Sequence, residues 1–317
     1  MITSTPSTKR RISQPCSTIG TSSAWALLFV SAIAIRGSAQ DMPLTQVLLD
    51  DEPWQLVSKG HSFTEGPAVD KNGDVFFTDV QQSKIFQIDA ETGDVQLFAE
   101  NTAKTNGLMF GADGRLYGCR NGDKQIVAYK PDGSHDVVVA DVQSNDLVVT
   151  SRGAIYFTDP SNNRVWHVSP RGKKRVVAEG FRPNGVILWA NEGTLVVTDS
   201  NEPHLWTFRV EPNGSLKFRE RYYQPLMLPS GKERPGSDGM TVDKHGRLYV
   251  ATHAGLQMFD PTGRMGGVIA KPQQAFLSNA VFGGPKFDTL YATCQDKVFR
   301  RKTKSAGAPY IPRMSAK

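Results

Sequence analysis

The stretch NGDVFFTD at residues 72–79 returns along the chain as DGRLYGCR (113–120), RGAIYFTD (152–159), EGTLVVTD (192–199), HGRLYVAT (245–252) and, in degenerate form, FDTLYATC (287–294). Taking the second residue of each phrase as a marker, Gly73, Gly114, Gly153, Gly193, Gly246 and Asp288 lie 41, 39, 40, 53 and 42 residues apart. A period near forty marks a repeat architecture. Most phrases are followed by a second alternating segment, a turn and a third, as in KIFQIDAETGDVQLF and QIVAYKPDGSHDVVV. β-Branched and aromatic residues around Thr-Gly, Asp-Gly and Asn-Gly turns are a hairpin signature, and nothing after the first 39 residues sustains a long helical period. Each unit reads as a small antiparallel sheet, and six such sheets arranged radially protect the edges that a flat array would expose. The expectation is an all-β fold, a six-bladed β-propeller in one domain spanning 40–317. The segment 44–57 should supply a strand that closes the ring with the last blade. The extra residues of the 53-residue interval, within RERYYQPLMLPSGKERPGSDG, should form a surface loop at a channel mouth.

The 317-residue composition, 39% hydrophobic and 21% charged, is that of an ordinary globular protein and excludes disorder and a multi-span membrane protein. The formal charge is +6, but Lys9, Arg10, Arg11 and Arg36 fall in a leading 39 residues that contain no acid, leaving 33 basic against 31 acidic residues. No basic cluster strong enough to track a nucleic-acid backbone remains. The leader has a Ser/Thr-rich lead, a basic cluster, an apolar stretch from Ala24 to Ile35 and small residues at Gly37, Ser38 and Ala39. It reads as a signal peptide over 1–39 cleaved near Ala39, with an N-terminal anchor as the alternative, because twelve apolar-dominated residues are short for a membrane span. The protein is expected to be exported, periplasmic or extracellular, with no stable membrane span after cleavage. Cys16 leaves with the leader, and Cys119 and Cys294 occupy non-equivalent repeat positions, so they are expected to be buried packing residues and not a disulfide.

Counting back eight residues from four of the markers gives Glu65, Asn106, Asn145 and Asp238, and counting back nine from Gly193 and Asp288 gives Asn184 and Asn279. All six units carry an acid or an amide at one structural position, just ahead of an apolar strand where β geometry favours neither Asn nor Asp. One reading is that Asn-Gly, Asp-Gly and Asn-Asp are turn residues entering each strand. The other is a ring about the propeller axis. Glu65 is a poor turn residue and none of the six relaxes to Ser, Thr or Gly, which favours the ring. Convergent Glu, Asn and Asp oxygens without His or Cys describe a hard-cation site suited to Ca²⁺, with Mg²⁺, Mn²⁺ or Zn²⁺ as alternatives. On this count Asp238 is the only ring carboxylate besides Glu65.

The phrases TEGPAVD, SNDLVVTSRGAIYFTD, RPNGVILWANEGTLVVTDS and SDGMTVDKHGRLYVAT resemble the regucalcin/gluconolactonase family, from about Glu65 to Cys294. That family comprises six-bladed propellers, including calcium-dependent lactonases and related phosphotriesterases. The resemblance implies that Glu65, Asn184 and Asp238 bind the catalytic metal, that Asn145 contacts metal or substrate, and that Asp238 is also the general base or nucleophile. Animal-type sugar-lactone hydrolases carry an arginine two residues before the Asn145 position, where this chain has Gln143, so the lactone itself stays open.

The resulting expectation is metal-assisted hydrolysis of a small-molecule lactone, with Asp238 deprotonating water while Asn145 and Asn106 orient substrate hydroxyls. Among the scattered histidines, His253 in ATHAGLQMF is the one candidate for acid–base work at a channel mouth, against a surface or packing role. Asp79, Asp159 and Asp199 end three phrases as Thr-Asp pairs; turn capping is their default role, and Asp199 is the best functional candidate of the three. Trp166, Trp189 and Trp206 read as blade packing. The competing function is a non-catalytic calcium-containing propeller whose rim recognises a glycan or protein. A quinone-dependent sugar dehydrogenase would need a cofactor platform that has no support in the sequence.

Overall fold

Each repeated phrase becomes the second strand of a blade, at Val75–Asp79, Leu116–Arg120, Ile155–Asp159, Thr194–Asp199, Leu248–Thr252 and Thr289–Cys294. These strands are buried almost end to end. That is why they read as continuous apolar runs: both of their faces pack against neighbouring blades, as where Phe76 and Ile85 of one blade share a cluster with Leu116 and Val127 of the next. The computed structural model describes residues 42–308. Among them, 24 strands form six four-stranded antiparallel sheets, and the helical elements are 3-10 turns at Leu44–Gln46 and Asn121–Asp123. The six-bladed propeller expected from the repeat is therefore the observed architecture.

Closure follows the expected route. The strand Gln55–Lys59, at the end of the segment read as the closing strand, pairs antiparallel with Lys297–Lys302 and completes the sixth blade as its outermost strand. A buried network then secures both ends of the described chain to blade 5. Asp243 accepts hydrogen bonds from Arg247 Nη1 (2.9 Å), Tyr249 Oη (3.0 Å) and Ser305 Oγ (2.8 Å), and Arg247 Nη2 donates to Gln46 Oε1 (2.7 Å). The hydrogen bonds on the Asp243 carboxylate help offset the desolvation of this buried ion pair, in which Arg247 Nε is left without a partner.

The innermost strands run Thr64–Val69, Thr105–Phe110, Leu147–Val149, Pro183–Leu188, Met240–Val242 and Leu277–Gly283. Because strands alternate in direction within a blade, the starts of the inner strands share one end of the channel with the second-to-third-strand turns and the blade-to-blade links. The long loop between Leu216–Glu220 and Met240–Val242 climbs to that end. Gln224 N donates to Gly263 O (2.8 Å), the Met227 backbone exchanges two hydrogen bonds with the Gln257 amide, and Pro235 O accepts from His253 N (2.7 Å) just before Asp238. The loop expected at a channel mouth thus ends there. Cys119 and Cys294 are free and buried, in different core clusters, and Trp166, Trp189 and Trp206 pack on blade cores. The leader and any cleavage near Ala39 lie outside the described residues, within which no helix is long and apolar enough to cross a membrane.

Candidate active site

The position that repeats as Glu, Asn or Asp is held by two devices written into the repeat. First, the threonine of the Thr-Asp pair reaches a backbone carbonyl at the ring. Thr78 Oγ1 donates to Asn106 O (3.1 Å) and Thr158 Oγ1 to Asn184 O (2.6 Å), each across to the following blade, and in the sixth blade, where the pair is Thr-Cys, Thr293 Oγ1 donates to Asn279 O (3.3 Å) within its own blade. Second, the residue after the ring position is Gly in four blades, and its lack of a side chain lets the next blade come close. A Cβ on Gly66, which also sits at φ +44°, would run into the Asn106 carbonyl, and one on Gly239 would occupy the space of the Asn279 side chain. The Asn-Gly and Asp-Gly pairs are thus close-approach sites on the axis and not the turns they otherwise suggest.

Glu65, Asp238 and Asn279 are buried; Asn106, Asn145 and Asn184 are half-buried. The Asn184 amide and the Gly239 N–H lie close enough to Asp238 to favour its ionised form, while Gly239 N donates to Ser278 O (2.8 Å). Asn184 Oδ1 is buried and has no hydrogen-bond partner. Glu65 Oε2 accepts from Gly66 N (2.9 Å), and Asn279 Oδ1 from Ala280 N (2.8 Å).

A third carboxylate belongs to this group. Asp146 follows Asn145 where four other blades have Gly, and its Oδ1 accepts from Leu147 N (2.8 Å) while Oδ2 accepts a long bond from Val186 N (3.4 Å). Its carboxylate lies against Gly107, where any side chain would collide with it. The expectation that Glu65 and Asp238 are the only ring carboxylates is therefore corrected. The available signal was the single Asp among residues otherwise Gly, Gly, Gly, Gly and Ala at that offset.

The carboxyls of this group are all held back from ionising, chiefly by burial. Burial pushes Glu65 up to about 8, with the Asp146 charge adding to the shift and the Gly66 amide opposing it. Burial also carries Asp146 up to about 7, against the amides of Leu147 and Val186. Asp238 is raised well above the usual carboxylate range by burial and then by the charges of Glu65 and Asp146. No lysine or arginine contributes to any of these three shifts.

Buried carboxylates without a basic partner, beside an amide oxygen without a donor, match the needs of a hard cation. Among the described residues no group of three His, Cys, Asp or Glu could hold a metal by itself, so a cation here would take amide oxygens into its shell. Oxygen donors only, from Glu65, Asp238 and Asn184 with Asp146 beside them, fit Ca²⁺ or Mg²⁺.

The remaining candidates lie around this centre. His253 is at the same end of the channel, its imidazole packed where Gly236 has no side chain. Asp199 is buried at the end of the second strand of blade 4, where its oxygens accept from Asn201 N and Trp206 Nε1, both at 3.0 Å. Asp79 and Asp159 do matching work, Asp79 accepting from Ser62 N (2.9 Å) and Asp159 from Asn162 Nδ2 and Trp166 Nε1. These aspartates organise the loops around the mouth, and Asp199 is occupied by its partners.

Residues 63–296 match the SMP-30/Gluconolactonase/LRE-like region. The chain is 27% identical to a gluconolactonase of Zymomonas mobilis, covering 84% of this chain and 85% of that one. It is 29% identical to lactonase drp35 of Staphylococcus aureus over 64% of this chain and 67% of the relative. A solved gluconolactonase from Xanthomonas campestris superimposes with a TM-score of 0.72 at 25% identity, covering 81% of this chain and 91% of that one. With most of its described residues inside the matched region, this chain belongs to the SMP-30/gluconolactonase/LRE-like family.

Proposed function

We propose that this chain is a lactone hydrolase that works with a divalent cation, Ca²⁺ foremost, held by Glu65, Asn184 and Asp238. The observation that carries the reading is the crowding of Glu65 and Asp146 charge on Asp238, beside an Asn184 whose Oδ1 has no partner. The family membership and the gluconolactonase and lactonase relatives support the substrate class. When bound, a cation there would keep the carboxylates ionised and supply Lewis acidity to an ester carbonyl.

The side chains do the rest. Asp238, steadied by the Asn184 amide, accepts a proton from an attacking water as its oxygen bonds to the acyl carbon. The ring C–O bond breaks, the proton passes to the departing alkoxide, and a hydroxy acid is released. Asn145 and Asn106 orient polar groups of the substrate. Asp146 adds negative charge to the cation site. The leader is proposed to direct export and be removed, so mass spectrometry of the native protein should find an N-terminus near Gln40.

Acidification of a weak buffer by purified protein on addition of glucono- or galactono-lactone, stopped by EDTA and restored by Ca²⁺, is the expected result. Cation binding without hydrolysis of any lactone would favour the binding propeller.

A further inference from the structure

The end of the channel that holds the carboxylates is not uniform around its rim. The residues two positions ahead of the ring are Phe63, Lys104, Gln143, Arg182, Gly236 and Leu277 in blades 1 to 6. Blades 2, 3 and 4 thus carry polar or cationic residues, and blades 5, 6 and 1 do not. On this second side the place left open by Gly236 is taken by the imidazole of His253. The His253 ring meets Phe276 edge-on with centroids 5.6 Å apart, and Phe276 in turn stacks on Phe63 at 6.1 Å and 24°.

The three rings come from three separate blades, each next to a ring position. Phe63 lies two residues before Glu65 and Phe276 three before Asn279, while His253 sits on Gly236, two before Asp238. All three remain half-buried, so part of each ring stays accessible. Burial and then the nearby charges of Lys232 and Lys271 disfavour protonation of the imidazole. Lys271 also holds the link to Phe276 in place by donating to Ala275 O (3.0 Å).

A half-buried wall of two phenyl rings and one imidazole offers ring faces and edges, which bind planar apolar groups well, and the two phenyl rings offer a hydroxyl no hydrogen-bond partner. We infer that Phe63, His253 and Phe276 form a specificity subsite that selects lactones bearing an aryl substituent over their small-alkyl or polyhydroxylated counterparts. The inference rests on the lactone-hydrolase reading for the reacting group. The wall itself is a property of the rim.

The test compares γ-phenyl-γ-butyrolactone, γ-methyl-γ-butyrolactone and glucono-δ-lactone on the purified full-length protein with Ca²⁺. It reads kcat/KM, and in parallel the saturation transferred from protein to each ligand by NMR. The wild type should prefer the phenyl over the methyl lactone by about tenfold or more, the size expected of a substituent that fills an aromatic subsite. Phe276→Ala and Phe63→Ala should each reduce that preference several-fold, Phe276→Tyr should retain it, and thermal unfolding of all three should confirm folded protein. Equal turnover of the phenyl and methyl lactones by the wild type, or a preference that both alanine variants leave intact, overturns the subsite while leaving the hydrolase reading standing. If no lactone is hydrolysed, the hydrolase reading fails. The subsite is then decided by NMR alone: phenyl-selective saturation transfer lost in Phe276→Ala supports it, and transfer that is absent or unchanged overturns it.

Discussion

The same six inner strands build both ends of the axial channel, and the two ends differ in what they leave unpaired. At their starts, Glu65, Asp146 and Asp238 crowd together with no cationic partner contributing to their ionisation. A few residues on, Val69, Phe110, Val149, Leu188, Val242 and Phe282 line an apolar cavity of about 250 Å³ that reaches up to Asp146 and Asn279. This cavity is thus lined mainly by apolar side chains at the opposite end of the strands from Glu65 and Asp238. Apolar walls around a cavity cost only lost contacts, whereas carboxyls held together in a buried site cost charge repulsion that something must offset. Unrelieved electrostatic cost, more than empty volume, is what singles out the carboxylate end as the proposed site.

The sharpest way to break this comparison is at Asp238. Asp238→Asn keeps an oxygen donor of nearly the same size but removes the proton acceptor, so lactone kcat should fall by about 10² to 10⁴ and stay low in excess Ca²⁺. Glu65→Gln removes ligand charge but not the base, so its loss should be at least partly recovered as Ca²⁺ is raised. Steady-state kinetics across a Ca²⁺ titration separates the two. Equal recovery of both variants would make Asp238 a ligand only and move the search for the base to His253.

A smaller effect is expected at Asp146, the carboxylate that the repeat count passed over. Asp146→Asn should weaken Ca²⁺ binding by about tenfold, since ligand charge tunes cation affinity. The same change should make the metal-free protein more stable near pH 8 by relieving repulsion on Glu65 and Asp238. Calorimetric Ca²⁺ titration and thermal unfolding in EDTA report the two halves. Unchanged affinity would place Asp146 outside the cation's shell.

Why Asp146 escaped while its neighbours were legible has a physical answer. The blade count, the closing strand and the ring offset follow from a period that side-chain chemistry must respect, because every blade packs the same way on the next. At the ring itself the strand pairing slips, between Glu65 and Ala68, Thr105 and Leu108, Pro183 and Val186, and Leu277 and Asn279. Such bulges break the two-residue alternation, so a count that keeps one residue per blade discards the next one even when it too faces the axis. In blade 3 the strand pairing proper begins only at Leu147, and Asn145 and Asp146 both bond to Thr158, Asn145 N donating to Thr158 O and Thr158 N to Asp146 O, both at 2.9 Å, so Asp146 is that next residue there. The Phe63–Phe276–His253 wall was hidden for another reason: its members are far apart in sequence and meet only when blade 6 closes on blade 1.

The raised carboxyls also set a pH dependence. Glu65 moves from 4.5 to about 8 and Asp146 from 3.8 to about 7, so between those limits the folded metal-free state binds more protons than the unfolded chain. These groups penalise folding least below about pH 4, and the penalty grows as pH rises toward 8 and then levels off. In EDTA the melting temperature should therefore decline from pH 5 to pH 8, and decline less steeply in Asp146→Asn. Saturating Ca²⁺ should flatten the slope, because it favours the ionised carboxylates. A metal-free melting temperature that climbs over this range would mean the carboxyls are already relieved by something other than a cation.

The smallest expected change probes the other end of one strand. Ile187 lies three residues after Asn184 on Pro183–Leu188, half-buried, packed against the cluster that includes Leu205 and Met240, and lining the apolar cavity. Ile187→Val deletes one methylene group beside space that is already open, so the cost should sit at the low end of the range for this change, about 0.5 kcal/mol. Urea unfolding should show a slightly lower midpoint with an unchanged slope, because the surface exposed on unfolding is nearly the same. Lactone kcat/KM and Ca²⁺ affinity should not move, since the backbone at Asn184 is fixed by the Thr158 hydroxyl and not by packing at Ile187. A change in Ca²⁺ affinity larger than the change in stability would show that the two ends of the strand are mechanically coupled, and the division between a reactive end and an inert one would then fail at blade 4.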